Sequence, residues 1–256
     1  MPQPLNTISP KAAKTPVQWG ASAALKAYPE LAVLVLETIA IWSEADRHLA
    51  DALTNLISTD VEIVADMFRD IKLEARTTAL HAAARTRFKP EDYNLFAAAL
   101  STTKASRSRR DEFAHHIWGT SPEIQDALIL ADPRDLVREI AAIMGPLMRS
   151  GGSGSFDSPT YSHGTPWDSS KYFAYRKVDL EASVGDAKRA CLITSRLRCM
   201  TLINPPIYRP EQFDSTCNEL RSDPLVQQRL QPKSKQIDPS TQTETPSQIQ
   251  SSEGNQ

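Results

Sequence analysis

The segment at residues 27–57, AYPELAVLVLETIAIWSEADRHLADALTNLI, carries the clearest fold signal in the chain. Pro29 suits the first turn of a helix, because that position needs no backbone N–H. Apolar residues then recur at three- and four-residue steps, which places them on one face of an α-helix. These residues are Leu31, Leu34, Val35, Trp42, Ala45, Leu49, Leu53 and Leu56. The segment therefore predicts a long helix with one buried face.

Helix-start signals continue after this segment. Thr59 and Glu62 form a capping box, and Pro90 suits another first helical turn. No segment before the middle of the chain predicts a strand, whereas DALILAD at residues 126–132 is compatible with a turn or a strand. KYFAYRKVDL at residues 171–180 alternates in the way that is typical of a short strand, and helical spacing follows it.

These signals predict a mainly α protein, a helical bundle with a short C-terminal strand–helix element and a disordered tail. The predicted units are a disordered arm at 1–20, a helical domain at 21–150, a flexible linker at 151–170, a strand plus helix packing on the bundle at 171–203, and a disordered tail at 204–256. The linker is rich in Gly, Ser and Pro. The tail is too polar to offset the entropy of ordering it.

Composition and charge exclude several classes of function. The net charge of −2 gives no bulk attraction to nucleic acid or to an anionic membrane. The most apolar run, residues 31–42, contains Glu37 and is shorter than the roughly 20 residues that a spanning helix needs. Cys191, Cys199 and Cys217 lack the spacing of a disulfide framework or a zinc knuckle. We expect a cytoplasmic protein with no membrane association, metal or cofactor.

The motif RRDEFAHHIWG, residues 109–119, has side chains suited to phosphate chemistry. The guanidinium of Arg110 can bind a phosphate through two parallel hydrogen bonds. The imidazole of His115 can take a proton from a hydroxyl or give one to a leaving oxygen. On a helix, Asp111 would share a face with His115, because the two residues are four apart. The motif therefore predicts metal-independent RNA cleavage. A local basic run would attract the phosphate backbone of RNA; it consists of Lys104, Arg107, Arg109 and Arg110.

A structural interpretation of the same residues stays open. Adjacent histidines on a helix are commonly exposed residues without a chemical role, and basic runs are usually solvated faces. A zinc site formed by His115, His116 and His163 is conceivable, but the ligand spacing of a catalytic zinc site is missing. Trp42 and Trp118 lie among apolar residues and are predicted to be core residues.

The motif resembles that of the HEPN superfamily, in which an Arg is followed, after four to six residues, by a His. Its form, Arg-polar-x-x-Ala-His with a following Trp-Gly, is similar to a set of uncharacterised bacterial proteins. In those proteins a P-D-A-L-L-L-x-D-P segment and a later Y-R-x-x-D-L junction follow. This chain has IQDALILADPRDL and YRKVDL in the same order, so the resemblance covers roughly residues 20–200.

The resemblance implies an all-α bundle that is often a homodimer, with the motifs of two protomers facing each other. Active members are ribonucleases of toxin, abortive-infection and anti-phage systems, and other members only bind partners or nucleotides. The partners implied are RNA, a second copy, and an antitoxin or a nucleotidyltransferase. Carried over, Arg110 would hold the scissile phosphate and His115 would be the acid/base group.

Three departures from the family pattern bear on this assignment. Asp111 stands where family members most often have Asn, so a negative charge lies near the phosphate site. Arg109 and His116 also satisfy the permitted spacing, so the register of the pair is ambiguous. His116 is also bulkier than the small residue often found there. Two hypotheses remain: a metal-independent endoribonuclease, and a non-catalytic helical module for interaction or dimerisation.

Overall fold

The computed structural model describes residues 2–8, 11, 17–60, 62–64, 66, 72–149, 169–203 and 208–231. The helices are α1 Leu5–Ile8, α2 Ala21–Ala27, α3 Pro29–Ile57, α4 Leu73–Arg87, α5 Pro90–Thr102, α6 Lys104–His115, α7 Pro133–Arg149, α8 Lys177–Met200, α9 Pro210–Ser222 and α10 Pro224–Leu230. The strands are β1 Gln3–Pro4, β2 Gln18–Trp19, β3 Ile117–Ser121, β4 Ile124–Ala131 and β5 Tyr172–Arg176. The protein is thus mainly α-helical, as the sequence predicts.

Helices α3 and α8 form the centre of the bundle and run parallel to each other. Near their starts, Glu30 of α3 forms an ion pair with Lys177 of α8 at 3.8 Å. Near their ends, Asp51 lies 3.5 Å from Arg198. The predicted buried face of α3 is confirmed at each of its positions except Leu34, which is half-buried. Apolar burial along one face, with ion pairs at its edge, therefore holds this helix pair together.

A five-stranded antiparallel sheet, in the order β1-β5-β4-β3-β2, packs against the bundle. The prediction of a helical bundle with a single short strand is therefore wrong in this respect. Residues 126–131 of DALILAD, a segment compatible with a turn or a strand, belong to β4. This strand carries a nearly continuous apolar run because it is buried on both faces, and such a run cannot be distinguished from a buried helix by periodicity.

The two faces of the sheet have different covers. The inner face contributes Trp118, Leu128, Leu130 and Tyr175 to a cluster with residues of α2, α3, α6 and α8. The outer face contributes Ile124, Ala127, Ile129, Ala131, Tyr172 and Ala174 to a second cluster. In the described part of the chain, that second cluster is completed by N-terminal residues alone, namely Leu5, Ile8, Val17 and Trp19. The N-terminal segment therefore acts as the cover of the outer face.

Both chain ends differ from the predicted disorder. Residues within the predicted arm form β1, α1 and β2, because their few apolar side chains have the sheet to pack on. Residues within the predicted tail form α9 and α10, in which Cys217, Leu220 and Val226 are buried in the main core cluster. Pro210 and Pro224 stand at helix starts, so these prolines are initiation signals. Residues 151–168 of the predicted linker and residues 232–256 of the predicted tail lie outside the described residues.

Gly119 on β3 is required by the close approach of β2. A Cβ atom at this position would lie 2.7 Å from Val17 Cγ1 and 2.9 Å from the Gln18 carbonyl oxygen. We expect Gly119→Ala to lower the free energy of unfolding by about 1–3 kcal/mol, because the strands must shift apart. Urea unfolding followed by circular dichroism measures this change.

Gly185 on α8 provides the matched control, since no atom lies within 4 Å of a Cβ built there. Gly185→Ala is expected to be stabilising by up to about 1 kcal/mol, because alanine has the higher helix propensity. Equal effects of the two substitutions would contradict the close-approach explanation.

Among the described helices, none has both the length and the apolar character that crossing a membrane requires.

Candidate functional site

The motif divides between a helix and a strand. Helix α6 ends at His115, and the backbone N–H of His116 donates to the Glu112 carbonyl at 2.9 Å. The chain then becomes extended and enters β3 at Ile117. The helical relation between Asp111 and His115 therefore holds, whereas His116 lies at the helix end, outside the regular face.

The inward side of α6 fixes the end of this helix to the sheet. Phe113 is buried and meets the ring of Tyr175 edge-on, with ring centroids 5.4 Å apart. The indole N–H of Trp118 donates to the Phe113 carbonyl at 3.2 Å. Two turns earlier on α6, Ser106 Oγ accepts a hydrogen bond of 3.0 Å from the indole N–H of Trp42. Both tryptophans are buried, so the prediction that they are core residues is confirmed.

Arg109 is part of a three-residue network that joins α6 to β5. Its Nη1 donates to Glu112 Oε2 at 2.8 Å and to the Tyr175 hydroxyl. The Tyr175 hydroxyl in turn donates to Glu112 Oε2 at 2.8 Å. Burial raises the pKa of Tyr175 far above its usual value, and the Glu112 carboxylate raises it further although Arg109 opposes this. The neutral tyrosine is thus a fixed hydrogen-bonding partner.

The same network keeps Arg109 charged. Burial alone would lower the pKa of Arg109, but the Tyr175 hydroxyl and the Glu112 carboxylate outweigh it, and the net shift is upward. The guanidinium also lies 5.4 Å above the Tyr175 ring centroid. Arg109 therefore holds α6 against β5, and its guanidinium is not free to bind another group without breaking these contacts.

Arg110 has a weaker partner than Arg109. Its Nη1 lies 2.9 Å from Oδ1 of the adjacent Asp111, and the two side chains are 28% and 42% exposed. Its Nε is buried without a hydrogen-bond partner. Ion pairs with this degree of exposure contribute about 0–1 kcal/mol, so the pair is easily exchanged.

His115 is exposed as the last residue of α6. No hydrogen bond or ion pair joins its imidazole to another residue within the described part of the chain. The five-residue separation from Arg110 corresponds to about 140° around a helix of 3.6 residues per turn. The two predicted catalytic side chains therefore point in different directions from one helix and do not meet within a single chain.

Carboxylates neutralise most of the predicted basic run. Arg107 forms an ion pair with Asp46 at 3.2 Å, and its guanidinium lies 5.8 Å from the Trp42 ring centroid. Burial lowers the pKa of Arg107, and the Asp46 charge partly offsets this. With Arg109 and Arg110 also paired, Lys104 is the exposed cation of the run. The surface is thus less basic than the sequence suggests.

The described residues contain no group of three or more side chains placed to bind a metal ion. His48 on α3 has Nε2 3.3 Å from Arg47 Nη2 and Nδ1 3.5 Å from Thr194 Oγ1. Burial, followed by Arg198 and Arg47, lowers the pKa of His48, so the imidazole is neutral and structural.

No protein family, curated protein or solved structure matched the chain. The relation to HEPN proteins therefore stays a resemblance.

Proposed function

We propose that the protein is a metal-independent endoribonuclease of HEPN type, with Arg110 binding the scissile phosphate and His115 transferring protons. The supporting observation is the exposure of His115 at the end of α6. An imidazole built for packing would be buried and hydrogen-bonded, as His48 is. An exposed imidazole, on the same helix as a loosely held guanidinium, is available to a substrate.

The chemistry needs one positive group and proton transfer at two oxygens. The ribose 2′-oxygen attacks phosphorus and loses its proton, while the bond to the 5′-oxygen breaks and that oxygen gains a proton. The products are a 2′,3′-cyclic phosphate and a 5′-hydroxyl. Arg110 stabilises the charge on the non-bridging oxygens. His115 exchanges the protons.

The divergence of Arg110 and His115 within one chain supports a homodimeric active centre. Two copies related by a two-fold axis can place Arg110 of one chain opposite His115 of the other. Such an arrangement also supplies two imidazoles, one as base and one as acid. As a toxin or phage-defence ribonuclease in the cytoplasm, the protein would be controlled by an antitoxin or a nucleotidyltransferase partner.

The second candidate function is a non-catalytic helical interaction module. The supporting observation is the apolar surface of α7, where Val137 is 63% exposed and Ile140 is 48% exposed. Exposed neighbouring apolar side chains of this kind are typical of protein interaction surfaces. The pairing of three arginines on α6 with carboxylates also weakens the attraction for RNA.

The two functions are separated by incubating the purified protein with end-labelled single-stranded RNA in excess EDTA. The ribonuclease proposal predicts cleavage that EDTA leaves unchanged, with 2′,3′-cyclic phosphate and 5′-hydroxyl ends. Products with 3′-hydroxyl ends, or activity that EDTA abolishes, would refute the mechanism. Absence of cleavage over a panel of cellular RNAs would favour the interaction module.

A further inference from the structure

We infer that Asp111 limits anion binding at Arg110, because its carboxylate is paired with the guanidinium that a phosphodiester has to reach. We call this competition between Asp111 and the anion the gate. The inference rests on the proposed function for the identity of the anion, an RNA phosphodiester. It adds a residue that sets the affinity of the site for the anion, and therefore the RNA concentration at which the site is filled.

The pairing pattern on α6 singles out Arg110. Arg107 is held by Asp46 from α3 and stacks on a buried tryptophan. Arg109 is held by Glu112 and by Tyr175 from β5. Arg110 is held at one nitrogen by Asp111, a half-buried neighbour in sequence, and its Nε has no hydrogen-bond partner. Of these three guanidiniums, Arg110 is the one that an incoming anion can take over at the least cost.

The local geometry explains why Asp111 competes with a phosphate. Adjacent residues on a helix project in different directions, so Arg110 has to bend towards Asp111 to reach it. The resulting contact uses a single Nη1–Oδ1 distance of 2.9 Å. A phosphate can accept two parallel hydrogen bonds from a guanidinium, which is the stronger arrangement. Exchange is therefore favourable for Arg110 itself.

The charge of Asp111 opposes the exchange even after the contact is broken. The carboxylate stays next to the site, and a like charge at about 6 Å weakens anion binding by about tenfold at an effective dielectric constant of about 40. Asp111→Asn removes this charge and keeps the size of the side chain. We expect the variant to bind an RNA backbone about tenfold more tightly.

The test uses a fluorescent single-stranded oligonucleotide with 2′-fluoro riboses, which has RNA-like phosphates but no attacking hydroxyl. Its binding is measured by fluorescence anisotropy for the wild type, Asp111→Asn, Arg110→Ala and the double variant. The gate predicts tighter binding by Asp111→Asn and loss of that gain when Arg110 is absent. Asp214→Asn on α9, an exposed carboxylate with the same charge change, is expected to bind as the wild type does.

Three results would overturn the gate: no gain from Asp111→Asn, an equal gain without Arg110, or an equal gain from Asp214→Asn. Absence of binding by every variant would also overturn it, because no anion then reaches Arg110. Cleavage of the matching ribo-oligonucleotide in EDTA is measured in parallel. Cleavage without gating leaves the ribonuclease in place and removes the gate. Gating without cleavage keeps a regulated anion site and removes the ribonuclease.

Discussion

Replacing His115 by alanine is expected to slow RNA cleavage by about 10²–10⁴-fold, which is the usual contribution of a general acid or base. The imidazole is exposed and has no hydrogen bond to another described residue, so its loss should leave folding intact. The free energy of unfolding should change by less than about 0.5 kcal/mol. Single-turnover cleavage at saturating protein, together with urea unfolding, measures both effects.

A second substitution tests the partner of His115. Arg110→Lys keeps a positive charge but removes the two parallel donors of the guanidinium, so the cleavage rate should fall as well.

His116→Ala tests the alternative register of the motif. A rate loss confined to His116→Ala would contradict the assignment and move the site to Arg109 and His116. That outcome would also require Arg109 to leave its contacts with Glu112 and Tyr175.

The central helices were predictable because their signals are local. The face of α3 follows from apolar spacing within a single segment, and prolines mark the starts of α3 and α5. The sheet was not predictable in the same way, because its strands come from distant parts of the chain. β1 and β2 have two residues each, too few for any periodic signal. Their position depends on contacts with β5 and β3.

The site was predictable in its residue types but not in its partners. The spacing of Arg110 and His115 is visible in the sequence, and so is the proximity of Asp111. The role of Tyr175 is not, because this residue lies 66 positions after Arg109 and meets it only through the packing of β5 on α6. Glu112, one turn before His116 on the same helix, is the acceptor of that network. Long-range packing thus decides which arginine stays available.

Deleting residues 2–19 is expected to abolish the cooperative unfolding transition. The described residues of this segment cover the outer face of the sheet, where Leu5 is fully buried and the Trp19 ring lies 5.2 Å from the Tyr172 ring. Truncating one buried leucine costs about 2–5 kcal/mol, and the whole stability of a domain is about 5–15 kcal/mol. Removing several such contacts therefore leaves an exposed apolar sheet face, which is measured by binding of a hydrophobic dye and by urea unfolding.

Point substitutions separate the contribution of packing from that of chain length. Leu5→Ala should lower the free energy of unfolding by about 2–5 kcal/mol. Asn6→Ala, at an exposed neighbouring position, should change it by less than about 0.5 kcal/mol. A disordered arm, as the composition of the segment suggests, would be removable without loss of stability or gain of dye binding. The two interpretations predict opposite results. If the truncated chain unfolds as the wild type does, the outer face does not depend on this cover.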